Sequence, residues 1–407
     1  MEPASKTVIS STQAMLPKAK PEKTSSKPFQ LPTKPLKPLN RYPFNIKLKH
    51  SELLFKVEND YPDVIKELKL RGWRDSQISS ERPLFLWSKT SKIFKTLPPD
   101  TIVNHFFNMQ ELSQKIKLCD NFKKGSENFF PICYKVENGD ISEFLEDYQK
   151  AQMESQLSVS VLSGDFIIYQ QVQESLDMLK YTEGQVFKDL KEITEFLRKR
   201  SESDPQFNIK GSKNLWIVKP GWMSRGRGIK LFKDLPSIES YTQEGLWVVQ
   251  KYIENPLLIN NRKFDIRVWV LLTSTSTISA YLYTRPYLRF SSEEFNSEDT
   301  ENLFIHLTNN SIVKYSQNFC EEDSMWHNEK LQNWIINETG NDLWPSILVR
   351  IKDIVERTIV EVKGKIGKRR NCFEHLGYDF MLDNEFKPWL IEVNSSPAMD
   401  YSTVLNM

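Results

Sequence analysis

GYDFMLDNEFKPWLIEVNSSP, residues 377–397, carries two apolar runs separated by Asp383-Asn384-Glu385. Aromatic and branched residues on both sides of a polar turn read as an antiparallel hairpin. Counting back from the turn brings Asp379 to within a residue or two of Glu392. Side chains alternate along a strand, so Glu392 and Asn394 share a face. Two carboxylates and an amide oxygen therefore converge at one end of the hairpin, amid apolar neighbours. Burying those carboxylates unpaired would be costly. Ordinary ion pairs with lysine are one resolution; an oxygen-only site suited to Mg2+ rather than zinc is the other.

The same alternation in NRKFDIRVWVLL (261–272) puts Lys263, Asp265 and Arg267 on one face and Phe264, Ile266 and Val268 on the other. Such a row is either a charged outer sheet face or the floor of a cleft that holds an anion and its cation. WIVKPGWMSRGRGIKLF (216–232) sets Lys219 at a strand end, just before the loop Ser224-Arg225-Gly226-Arg227-Gly228. A lysine beside a glycine-rich loop can neutralise phosphate oxygens while the loop's N–H groups cradle them. The loop fits neither GxGxxG nor GxxxxGK[ST], so by itself it names no architecture. One copy between two strands is also not the repeated arginine-glycine strip of a nucleic-acid binder. VVQKYI (248–253) is an apolar strand interrupted by Gln250-Lys251. YLYTRPYLRF (281–290) places Arg285 and Arg289 in an aromatic strand, and Arg285 is the better candidate for stabilising oxyanion charge. HLTNNSI (306–312) is a polar break containing His306, Thr308 and Asn309, where a lone histidine is more often structural than catalytic.

With 407 residues, 39% of them hydrophobic, the chain can bury a sizeable core in two or three packed units. Residues 1–50 differ: they hold eight of the 21 prolines and ten Lys/Arg against two Glu, a net +8 that leaves −6 for the rest. Such a segment reads as a disordered basic arm, either a solvated tail or a tether to an acidic surface. The rest divides into an N-terminal domain at 51–135, a central domain at 136–255 and a C-terminal domain at 256–407 that carries the 377–397 hairpin. YPDVIKELKLRGW, TIVNHFFNMQELSQKIKLCDNF, EGQVFKDLKEITEFLRKR and LWPSILVRIKDIVERTIVEVKG have helical spacing, whereas the motif-bearing runs read as strands. The expected class is α+β, a helical first part followed by a largely antiparallel sheet. Cys119, Cys133, Cys320 and Cys372 form no CxxC pair, which argues against zinc and against a disulfide scaffold and suits a reducing compartment. No apolar run is long enough for a membrane span, and MEPASKTVIS lacks the apolar core of a signal peptide, so a cytoplasmic protein is expected.

WIVKPGWMSRGRGI, VVQKYIENPLLINNRKFDIRVWVL, YTRPYLRF, HLTNNSI and the 377–397 hairpin, in this order, resemble the tubulin tyrosine ligase-like family of ATP-grasp ligases. LRGW, VNHFFNMQELSQKIKL and FFPICY resemble its upstream segment, so the likeness begins near residue 60. KPGWMSRGRGI, MWHNEKLQNW and PWLIEVNSSPAM are most similar to the glycylase branch, which adds glycine to tubulin glutamates. The resemblance implies ATP sandwiched between two antiparallel sheets, with a smaller N-terminal domain packed against them. Lys219 would hold ATP phosphates under a lid formed by Ser224, Arg225, Gly226, Arg227 and Gly228. Gln250, Lys251, Tyr252 and Ile253 would line the adenine slot through backbone and side chain. Lys263 and Asp265 would contact the nucleotide, as would Lys115. Asp379, Glu392 and Asn394 would ligate Mg2+. Arg267, Arg285 and the Thr308-Asn309 pair would face the reacting phosphate and the acceptor carboxylate, giving Arg267, Arg285 and Glu392 as the catalytic set.

The reaction so implied activates a glutamate γ-carboxylate as an acyl phosphate, which the amine of free glycine then displaces. No protein nucleophile is required. The resemblance also implies tubulin or microtubules with acidic tails as partner, a monomer, and work in the cytoplasm and cytoskeleton, including the axoneme of cilia or flagella. Nucleic acid and membrane are not expected as partners. A polyglutamylase of the same fold and a non-catalytic microtubule-binding module are the alternatives, and an intact polar set speaks against the second. The basic run KGKIGKRR (363–370) is either a solvated loop or an attractor for acidic tails. Two departures stand out: the chain ends at Met407, soon after the metal motif, and GWM replaces smaller residues in the loop.

Overall fold

The 377–397 segment does form an antiparallel hairpin, and its two strands lie beside the Lys263–Arg267 strand in one sheet. The computed structural model describes residues 53–58, 61–76, 81–89, 97–122, 128–170, 186–224 and 226–397. The expected basic arm at 1–50 lies outside them, as does Arg225.

The first sheet is parallel and holds β1 (Leu54–Val57), β2 (Arg74–Asp75), β3 (Phe85–Trp87) and β4 (Ile102–Val103), in the order β2-β1-β3-β4. This corrects the expectation of a helical first part. Strands of two to four residues are too short to display a period of two, whereas the helix Pro62–Leu70 between β1 and β2 is legible. The second sheet is antiparallel: β5 (Cys133–Glu137), β6 (Trp216–Pro220), β7 (Lys230–Phe232) and β8 (Leu246–Lys251), ordered β5-β8-β6-β7. The third comprises β9 (Leu258–Ile259), β10 (Arg262–Ser274), β11 (Ser279–Leu282), β12 (Tyr287–Glu294), β13 (Met325–His327), β14 (Glu374–Leu382) and β15 (Pro388–Ser395). Its order is β13-β12-β10-β14-β15, with β9 and β11 also on β10, all pairs antiparallel. The class is α+β.

Strand β10 shows why the site is where it is. Phe264, Ile266, Val268 and Val270 are buried in one core with Ile347, Ile351, Ile354 and Ile359 of the helix Trp344–Val362. That apolar row fixes the register, because a slip of one residue would turn every polar side chain into the core. Lys263, Asp265 and Arg267 are thereby committed to the opposite face. In the second sheet Trp216, Val218 and Val249 pack with Phe144, Tyr148 and Ala151 of the helix Ser142–Ser163, leaving Lys219 and Gln250 for the other side. That helix has little sequence signature: its stretch AQMESQLSVSVLS mixes serines and glutamines with isolated apolar residues and shows little amphipathic contrast.

Cys119 and Cys133 are joined as a disulfide, with Cα atoms 5.9 Å apart. The expectation argued against a disulfide scaffold, and this one bond departs from it. Sequence spacing of fourteen residues says nothing of proximity, which arises because the helix Lys115–Phe122 packs on β5. Among the described residues, no helix is long and apolar enough to cross a membrane.

Buried Asp383 organises the turn of the decisive hairpin: its carboxylate accepts from the Glu385 and Lys387 amides (both 3.0 Å) and from Trp389 Nε1 (2.8 Å). Asp383→Ala leaves these donors unsatisfied and is expected to cost about 2–4 kcal/mol of stability. Urea unfolding measures this, and a change within about 0.5 kcal/mol would contradict the turn's role.

Candidate active site

A cavity between the second and third sheets is lined by residues from both. Lys219 and Gln250 come from the second sheet, Lys263, Asp265, Asp379 and Glu392 from the third, with Lys115 at one side. Tyr252, Ile253, Gly226, Thr308 and Asn309 complete much of the wall. Of the sequence-predicted residues, these twelve are brought together here along with Lys251.

The polar contacts divide the cavity into two ends. At the first, Lys219 Nζ donates to Gln250 Oε1 (2.7 Å), and Gln250 Nε2 donates to the Pro131 carbonyl (3.0 Å). Lys263 Nζ donates to Tyr252 Oη (2.9 Å) and to the His306 carbonyl (3.0 Å). His306 Nε2 faces the Asp299 carbonyl at 2.7 Å and so carries the proton, leaving Nδ1 to accept from Tyr252 Oη (2.8 Å). His306 is thus a fixed neutral acceptor, its pKa lowered to about 4 by burial and by Lys263. Lys251 lies lower: its ammonium is bound to Glu254 (2.5 Å) and the Leu215 carbonyl (2.8 Å). The expectation that its side chain serves the slot is therefore narrowed to backbone and stem.

At the second end, Arg289 is bidentate to Asp265, with both contacts at 2.7 Å, and its Nη2 is also 3.0 Å from Asp379 Oδ2. Arg267 donates to the two Asp379 oxygens at 2.5 and 3.1 Å. Thr308 donates to Asp265. The register puts Asp379 opposite Glu392, and the next pair is Phe380 with Leu390, so Ile391 is an extra, bulged residue. Both Ile391 and Glu392 then line the cavity. Asn394 Nδ2 donates to Asp379 Oδ2 (3.1 Å) and Glu392 Oε1 (3.3 Å), while Lys115 Nζ lies 3.8 Å from Glu392. Among the described residues there is no cluster of three or more His, Cys, Asp or Glu side chains placed to hold a metal. Two carboxylates and an amide could offer oxygens to a hard divalent cation once the Asn394 amide, which here turns its Nδ2 to both carboxylates, rotates its oxygen inward. Asp379 is shared with two arginines, whereas Glu392 is contacted only by Asn394 and Lys115 among the described residues.

Arg285 is not brought to this site. It is exposed, with Nη2 3.0 Å from Tyr283 Oη, while Arg289 occupies the position opposite Asp265. Pro286 separates Arg285 from β12, so the alternation that puts Arg289 on the floor does not reach it. The loop glycines are conformationally required: Gly226 has φ +74° and a Cβ there would lie 2.9 Å from Ile312 Cγ1, and Gly228 has φ +67°. Ser224, Arg227 and Gly228 are exposed rather than cavity-lining, with Arg227 Nε donating to the Ser224 carbonyl (3.3 Å).

The profile of the tubulin-tyrosine ligase family matches residues 94–407. The chain belongs to that family. Its ATP-grasp-like α+β fold follows, although the match begins at residue 94 rather than near 60. Similar proteins include tubulin glycylase 3B of Tetrahymena thermophila, 43% identical over 51% of this chain and 18% of its own length. Tubulin glycylase 3D of the same organism is 32% identical over 77% of this chain and 31% of its own. Tubulin monoglycylase TTLL3 of Homo sapiens is 36% identical over 58% of this chain and 32% of its own. The aligned region spans less than a third of each of these relatives.

Electrostatically, this member of the tubulin-tyrosine ligase family keeps its cavity lysines under strain. Burial lowers Lys219 to about 8, partly opposed by Glu392, and lowers Lys263 to about 7, with Lys219 adding to the effect. Burial disfavours the Asp379 carboxylate, but Arg267 and Arg289 outweigh it and hold the group at about 2. An unfolded Lys263 keeps its proton up to about 10.5, whereas the folded one loses it near 7. Across that window the unfolded chain binds one more proton, so stability rises with pH. Lys263→Met should shrink the gain in urea midpoint between about pH 7 and 9.5, and an undiminished gain would count against the desolvated lysine.

Proposed function

We propose that this chain is an ATP-dependent ligase that joins glycine to glutamate side chains on the acidic tails of tubulin. The observation that carries the reading is the division of the cavity: desolvated lysines at one end, and an arginine-carboxylate-amide floor at the other. Lys219 and Lys263 would neutralise phosphate oxygens, and an anion near them would restore the charge that burial disfavours. Ile217, Ile253, Met381 and Ile391 offer apolar walls for a purine ring. Glu392 and Asn394, with Asp379, would hold Mg2+, which would supply charge neutralisation to a bound polyphosphate. Arg267 and Arg289, fixed by Asp379 and Asp265, present permanent cations where the transferred phosphoryl group meets the acceptor carboxylate. That carboxylate attacks the γ-phosphorus and ADP leaves. The glycine amine then attacks the carbonyl carbon of the acyl phosphate, inorganic phosphate leaves, and the nitrogen gives up a proton. The relatives named tubulin glycylases and monoglycylase support glycine and tubulin as the substrates. The cytoskeleton, ciliary microtubules included, is then the place of action.

The test offers labelled glycine and labelled glutamate separately, with ATP and microtubules. Glycine incorporation is expected, and incorporation of glutamate alone would overturn the choice of amino acid. Glu392→Gln should lower incorporation by about 100-fold and abolish most of the thermal-midpoint gain that ATP with Mg2+ gives the parent protein. An equal gain in both proteins would exclude Glu392 as a ligand.

A further inference from the structure

The polar face of β10 does not stop at Arg267. By the same alternation it continues through Trp269 and Leu271. Register pairs Trp269 with Gly377, Leu271 with both His375 and Tyr281, and Arg267 with Tyr287, so these side chains share the face. The Trp269 ring centroid is 5.7 Å from Tyr283, 5.8 Å from Tyr287 and 5.8 Å from His375. Arg285 sits on this platform, its Cζ 5.7 Å from the Tyr283 ring centroid and its Nη2 on the phenol oxygen.

Three features separate this surface from ordinary sheet exterior. It is apolar yet exposed, with Tyr281 61% and Leu271 38% accessible. Two polar atoms beneath it, Trp269 Nε1 and His375 Nδ1, are buried and have no hydrogen-bond partner among the described residues. Beyond the row of Asp379 and Glu392, none of the paired positions on this face carries a carboxylate, and Arg285 has no ion-pair partner among the described residues. Glycine at 377 keeps the platform continuous with the reaction centre, since a Cβ there would lie 3.2 Å from the Arg267 side chain and 2.9 Å from Pro397 Cβ.

We infer that this platform is the subsite for the acceptor polypeptide, with Arg285 pairing an acidic residue that flanks the modified glutamate. The inference rests on the proposed ligase reading for one point of geometry. In-line transfer needs the acceptor carboxylate on the side of the γ-phosphate away from ADP. With the lysines at one end of the β10 row, that side is the Arg267 end, and the polypeptide beyond it lies over Trp269. Flat rings accept peptide planes, and an exposed guanidinium amid aromatic rings and no competing carboxylate attracts a negatively charged chain. Arg285, expected from sequence as catalytic, becomes a residue of acceptor specificity.

The test measures binding of a fluorescent glutamate-rich peptide to the full chain by anisotropy, with a non-hydrolysable ATP analogue present. Arg285→Glu should weaken peptide binding by about tenfold, and Tyr283→Phe, which frees Arg285 from its anchor, by about two- to threefold. Affinity for the ATP analogue should be unmoved in both. A peptide with glutamine at the flanking positions should bind parent and Arg285→Glu alike. Equal affinity of parent and Arg285→Glu for the acidic peptide overturns the proposal, as does a parallel loss for the nucleotide. Because no glycyl transfer is read, absence of ligase activity would overturn the function reading while leaving a peptide loss in Arg285→Glu as support for the platform. Glycine incorporation with unchanged peptide binding would do the reverse.

Discussion

Arg289 holds two carboxylates at once, Asp265 on one side and Asp379 on the other, and the architecture of the site depends on that contact. With Arg267 it makes a four-membered set of two guanidiniums and two carboxylates whose charges cancel. Each member is buried, so the loss of any one would leave an uncompensated charge at low dielectric, a larger penalty than the pair's own net attraction. The set also ties β12, β10 and β14 together across one face of the sheet. Neutral in itself, it leaves the balance to the remaining groups. Lys115, Lys219 and Lys263 against Glu392 give the cavity an excess of two positive charges when all are ionised. Burial is the chief cause of the lowered lysine values, the neighbouring lysines add to it, and a bound anion would offset both.

The two rows on β10 are legible in the amino-acid sequence, because alternating hydrophobic and charged residues over 263–268 allow only one sidedness. The hairpin is legible for a similar reason, with Asp383 to Glu385 marking its turn and apolar runs its strands. The choice between Arg285 and Arg289 is not. It depends on where β12 begins, and Pro286 makes the stretch YLYTRPYLRF two strands instead of one. The bulge at Ile391 is equally hidden, since an inserted residue alters facing without altering composition. The parallel first sheet, with strands of two to four residues, leaves no periodic signal, and the Cys119–Cys133 pair needs the tertiary packing that brings helix to strand.

Three buried lysines border the same cavity, and their partners separate their roles. Lys251 has a carboxylate at 2.5 Å and a carbonyl at 2.8 Å, and that Glu254 also accepts from the Lys213 and Leu215 amides. Its charge is answered within the protein, so it shapes the wall. Among the described residues, Lys219 has only an amide oxygen at hydrogen-bond distance, and Lys263 only a phenol and a carbonyl. Those neutral acceptors orient an ammonium without compensating its desolvation. A structural role would be served as well by an apolar residue of like volume, with no buried charge to solvate. Two such lysines bordering one cavity, with the charge of Lys219 lowering the proton affinity of Lys263, favour the proposal of a multiply charged anion as the ligand.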